Sequence, residues 1–184
     1  MVAYIVLLFA ALTRLLPHAL HGVGLNFTAV GGGLLFFGAR RPRWQSAIAV
    51  AVMALTDVYL TTVTFGLHFK AGSYIVTWVW YAAACLVGSA LLRKVTVLRV
   101  ATGVLASATG FFLISNFVVW AGYQVAYPHD FAGLCACYVS GLPFYMNDLV
   151  STTLTAGALF GLPVLAAKLM ETLRSSQDRS QPLA

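Results

Sequence analysis

The chain has 184 residues, of which 60% are hydrophobic and only 9% charged, with a mean hydropathy of +0.87. A water-soluble domain carries roughly a quarter of its residues charged, so this composition excludes one and describes an all-α, polytopic membrane protein whose first partner is the lipid bilayer. The formal net charge of +6 sits in short basic clusters between apolar runs and not in a groove-lining stripe with interleaved aromatics, so it calls for no nucleic-acid partner.

The apolar runs fall at residues 2–16, 28–38, 47–65, 74–92, 100–122 and 147–169, which predicts a bundle of about six transmembrane helices. The first run, "MVAYIVLLFAALTRLLP", has no basic leader and no small-x-small cleavage site before the next segment, so it is read as a retained helix. Runs one and two are shorter than the about 20 residues that span a bilayer, and they are expected to be extended by their flanks, tilted, or shielded by neighbours. Gly31, Gly32 and Gly33 in the second run are expected to bring helix backbones close, and Gly157 with Gly161 forms another small-xxx-small pair. Residues 1–170 make one transmembrane domain and residues 171–184 a solvated cytoplasmic tail.

Nine of the eleven basic residues (Arg40, Arg41, Arg43, Arg93, Lys94, Arg99, Lys168, Arg174 and Arg179) fall on one side of a six-helix arrangement. The bias of Lys and Arg toward cytoplasmic loops makes that side cytoplasmic and places both termini there. The three opposite connections hold all four histidines, His18, His21, His68 and His129, with Cys135 and Cys137. Asp57 and Asn116 lie inside or near the ends of runs three and five, and an intramembrane carboxylate is costly unless it pairs, caps a helix or lines water. Two readings of Asp57 stand: a packing ion pair with Arg14, or a wall of a ligand cavity.

The ordered stretches "RLLPH…NFTAVGGGLLFFGAR", "ALTDVYL", "LISNFVVW" and "YPHDFAGLCACYVSGLPFYMNDL…ALFG" resemble an uncharacterised bacterial integral-membrane family. That family in turn is similar in layout to the S components of energy-coupling-factor (ECF) vitamin transporters. The resemblance implies six helices in the bacterial inner membrane, cytoplasmic termini and a solute pocket under the external loops. It carries the family positions onto Arg14, His18, Asn26, Asp57, Asn116, Trp120, Tyr127, Pro128, Cys137, Tyr138 and Asn147, of which Arg14, His18, Asn26, Asp57, Asn116, Trp120 and Tyr127 are the candidate substrate-binding residues. The chain departs from the family pattern at Ala19, at Ser115 and at "NDLVSTT", where Asp148 stands as a displaced carboxylate. The AxxxA signature with which S components dock a shared coupling module is missing from run one, so the chain works alone or with a dedicated partner.

His18, His21, His68, His129, Cys135 and Cys137 supply enough N and S donors for a transition-metal site, but HxxH and CxC are loose signals and no metal or other cofactor is assigned. Cys85, mid-run, is read as a small hydrophobe. Trp78, Trp80, Tyr81, Trp120, Tyr123 and Tyr127 are expected to form an interfacial aromatic belt. The sequence has no G-x-S-x-G, phosphate-loop or HExxH motif, so an enzyme is not expected, and ATP hydrolysis would come from a separate ATPase or coupling module. The reading is a substrate-binding membrane component for uptake of a small solute of the vitamin or cofactor-precursor class. Two alternatives remain: a non-transporting subunit or scaffold of a larger complex, and uptake of a transition metal or a cobalamin-like metal cofactor through the external His and Cys.

Overall fold

A backbone inside hydrocarbon has no water to bond, so a segment of this composition satisfies its own donors and acceptors as an α-helix. The computed structural model describes residues 1–15, 27–122 and 127–180, with side chains to residue 175, and among these it holds helices and turns but no strand. The helices are α1 (Val2–Thr13), α2 (Val30–Arg40), α3 (Ser46–Tyr59), α4 (Ile75–Leu91), α5 (Val97–Gly122), α6 (Phe131–Ala156) and α7 (Leu162–Ser180). A π-helical turn, Leu60–Thr64, lengthens α3, and a second, Gly157–Gly161, carries α6 into α7 without a break. The rods Arg43–Thr64, Ala71–Leu91, Val97–Gly122 and Phe131–Ser175 are long and apolar enough to cross a membrane, which makes this a multi-pass membrane protein.

Hydrogen bonds tie the start of the chain and two of the basic links together at one end of the bundle. Tyr4 Oη donates to Gln45 Oε1 at 2.9 Å, and Arg41 Nη2 donates to Tyr4 Oη at 3.0 Å. Arg43 and Arg93 both donate to Ser89 Oγ, at 3.2 and 3.4 Å. The links after α2 and after α4 therefore share an end, as the distribution of basic residues predicts.

The short second run becomes the centre of the fold. Helix α2 packs against α1, α4, α5 and α6, and Gly32 through Gly38 are buried along it. Eleven residues suffice because its neighbours, not lipid, surround it. Glycine at three successive positions costs a helix roughly 0.5–1 kcal/mol each, and here it admits close contact on two sides. A Cβ on Gly31 or Gly32 would run into Thr152 and Thr155 of α6, and one on Gly33 would sit 2.8 Å from Ala10 Cβ of α1. On the opposite seam, a Cβ on Gly38 would strike the carbonyl of Cys85 and one on Gly88 that of Leu35, so α2 and α4 meet backbone to backbone. Lipid tails are as apolar as leucine, so such close van der Waals packing, with buried polar contacts, is what holds the helices together.

Two expectations are corrected. Residues 131–146, read as part of an external connection, form the first turns of α6, because the Asp130 side chain caps that helix by accepting from Gly133 N at 2.7 Å. Tyrosine, serine, glycine and proline break up the apolar pattern there, which is why the run appears to begin only at 147. The Gly157/Gly161 pair does not pack a helix: a Cβ at either meets no atom within 4 Å. Both glycines instead line an apolar cleft of about 740 Å³ between α5, α6 and α7. The last rod stays helical to Ser180.

Candidate functional site

Met53, Thr56 and Asp57 fall at i, i+3 and i+4, one face of α3, and that face meets the Arg14 guanidinium just past the end of α1. Arg14 Nη1 donates to Met53 O at 3.1 Å and to Thr56 Oγ1, and Nη2 pairs with Asp57 Oδ1. The second Asp57 oxygen accepts from Trp78 Nε1 at 2.9 Å, and the Arg14 guanidinium lies 5.9 Å from the centre of the Tyr81 ring. Asp57 is 2% exposed, so both carboxylate oxygens are engaged away from solvent. One turn further, Thr61 Oγ1 donates to Asp57 O at 2.7 Å and lies 2.6 Å from Tyr74 Oη, which ties the π-turn to the start of α4.

The pair forms one wall of a cavity of about 290 Å³. Thr28, Val30, Gly31 and Leu34 contribute the start of α2, while Tyr74 and, from α4, Thr77, Trp80 and Tyr81 line another side. Ser107 and Phe111 come from α5 and Asp148 from α6. Helix α2 begins at Val30, where Ala29 N donates to Thr13 Oγ1 at 3.0 Å, and its first turn borders the cavity. A second cavity, about 230 Å³, lies between α5 and α6 and shares Phe111 and Asp148 with the first.

The sequence-derived candidates separate. Arg14 and Asp57 meet and line the main cavity, as the ion-pair and cavity readings each predict. Asn116 lines the second cavity, where its Nδ2 donates to Phe112 O at 2.8 Å. Trp120 and Tyr127 line neither: Trp120 Nε1 donates to Pro128 O at 2.9 Å and its ring lies against His129, 5.3 Å between centres. His18, His21, Asn26 and Tyr123 lie outside the described residues.

Cys135 and Cys137 do not converge. Two residues apart on a helix they point to different faces, Cys135 outward and Cys137 inward, where its thiol donates to Asn116 O at 3.3 Å. Among the described residues no group of three or more His, Cys, Asp and Glu side chains could hold a metal ion.

The belt reading of the α4 aromatics is corrected. Tyr81 is buried, Trp78 holds Asp57, and Trp80 lines the cavity. Phe69, Tyr74 and Trp78 stack in near-parallel series, the first two 5.2 Å apart between ring centres. A signal for this was present: Tyr74, Thr77, Tyr81 and Ala84 follow helical spacing, so they share one face, and a buried Asp57 needs a second donor beyond arginine. Ser107 carried no such signal.

Fold and site together define an all-helical multi-pass membrane protein with a partly charged cavity inside an apolar bundle. Residues 1–173 match the family described as Family of unknown function (DUF6580), and the chain belongs to that family. No curated protein and no solved structure matches it.

Proposed function

We propose that this chain is the solute-binding membrane component of an uptake system for a small solute of the vitamin or cofactor-precursor class, similar in role to an ECF S component. The observation that carries this reading is the cavity of about 290 Å³ in which Arg14, Asp57, Asp148, Thr77 and Ser107 converge from different helices. Ionisable residues at membrane depth are expensive and mark solute pathways, and a mostly apolar pocket with a few convergent polar groups is the usual form of a small-molecule site. The protein sits in the bacterial cytoplasmic membrane with both termini inside, on the basic-residue bias. Transport energy comes from a separate ATPase or coupling partner.

A second reading has its own support. The apolar cleft of about 740 Å³ beside an α7 whose described side chains are all exposed suits a subunit that docks another membrane polypeptide. Native mass spectrometry of the detergent-purified chain separates the two. The solute reading expects a co-purified small molecule that is depleted from the cavity variants Ser107→Val and Thr77→Val. Absence of any small molecule, together with a stoichiometric polypeptide partner, would refute it in favour of the subunit reading.

A further inference from the structure

We propose that the main cavity selects a small organic cation, an amine carried on a flat or aromatic body, with the Asp148 carboxylate as its counter-charge. This rests on the solute-binding reading and names the class of solute. Arg14, Asp57 and Asp148 are the charged side chains lining the cavity among the described residues. Arg14 and Asp57 neutralise each other, and Met53 O, Thr56 Oγ1 and Trp78 Nε1 hold the pair in place by hydrogen bonds. Asp148 makes no ion pair among the described residues, and its carboxylate is met by Thr152 Oγ1 of its own helix at 3.4 Å, a long contact. Among the described residues, an ionised Asp148 therefore has no counter-charge in the cavity. The start of α2 offers it the positive end of a helix dipole, worth about half an elementary charge, which offsets that carboxylate only in part.

The walls favour the same ligand. Tyr74, Trp80, Tyr81 and Phe111 present aromatic surface around the space, and ring faces attract ammonium groups. A bare metal ion would need about six oxygen ligands, whereas the cavity adds to Asp148 only the hydroxyls of residues such as Thr77 and Ser107. An anion would face Asp148 across a space where Arg14 is already committed. The volume of about 290 Å³ lies just below the usual range of ligand pockets, about 300–1,000 Å³, which fits only a compact solute.

The test uses the full chain in lipid nanodiscs and three probes of one shape: tyramine, its neutral alcohol tyrosol, and 4-hydroxyphenylacetate. Equilibrium binding is expected to rank tyramine at least about ten-fold tighter than tyrosol, with the carboxylate weakest, since an opposite charge in a low-dielectric site favours the cation. Asp148→Asn is expected to erase the preference for tyramine over tyrosol. On the unsubstituted chain, tyramine and not tyrosol is expected to slow labelling of Asp148 by dicyclohexylcarbodiimide, read by peptide mass spectrometry, so the test does not depend on the variant folding. Equal affinity for tyramine and tyrosol, tighter binding of the carboxylate, a preference that survives Asp148→Asn, labelling indifferent to tyramine, or no binding of any probe each overturns the inference. The co-purified-molecule experiment decides the solute-binding reading separately.

Discussion

Removing Arg14 strands Asp57, the most deeply buried charge among the described residues. Asp57 is 2% exposed and holds Arg14 on one oxygen and Trp78 on the other, at 2.9 Å for the latter. In Arg14→Ala the carboxylate keeps, among the described residues, only the indole, and breaking a buried pair in this way costs about 3–5 kcal/mol. Asp57→Ala is milder, at about 2 kcal/mol, because the Arg14 side chain is 15% exposed and retains Met53 O and Thr56 Oγ1 as acceptors. The double variant leaves neither charge unpaired, so it should lose less than the two single losses together, with a coupling between about 0.5 and 3 kcal/mol. Equilibrium unfolding in mixed micelles, driven by SDS and followed by far-UV circular dichroism, measures all four corners of the cycle. Losses additive to within about 0.5 kcal/mol, or a larger loss from Asp57→Ala than from Arg14→Ala, would refute the reasoning.

Trp78→Phe keeps the ring and removes the donor to Asp57, so the same titration should show a loss of about 1.5–3 kcal/mol, the worth of a hydrogen bond to a charged group. Gly88→Ala drives a Cβ against the Leu35 carbonyl and should cost about 1–3 kcal/mol by overpacking. Gly157→Ala meets open space and should stabilise by up to about 0.5–1 kcal/mol through helix propensity; equal effects at the two sites would contradict the packing described for α2 and α4. For topology, a single cysteine at Arg41 or Ser176 on a cysteine-free background should resist membrane-impermeant maleimide in intact cells and label once the cells are opened. Labelling from outside at either position would reverse the proposed orientation.

The sequence by itself determined the solvent, the all-helical architecture and the end at which the basic links between helices gather. Those properties depend on run length, hydropathy and charge, which are local quantities summed along the chain. It also singled out Arg14 and Asp57, because a charge inside an apolar run announces that a partner exists. Tertiary structure decided who the partners are and where the cavity lies. Trp78 serves Asp57, and Asp148 and Ser107 reach the same space from α6 and α5, through contacts between residues far apart in sequence. The glycines show the same division: Gly31–Gly33 and Gly157/Gly161 look alike as small-residue patterns, yet one set is pressed between helices and the other faces an open cleft. Periodicity states which residues share a face of a helix, and only the packing of the helices states what that face meets.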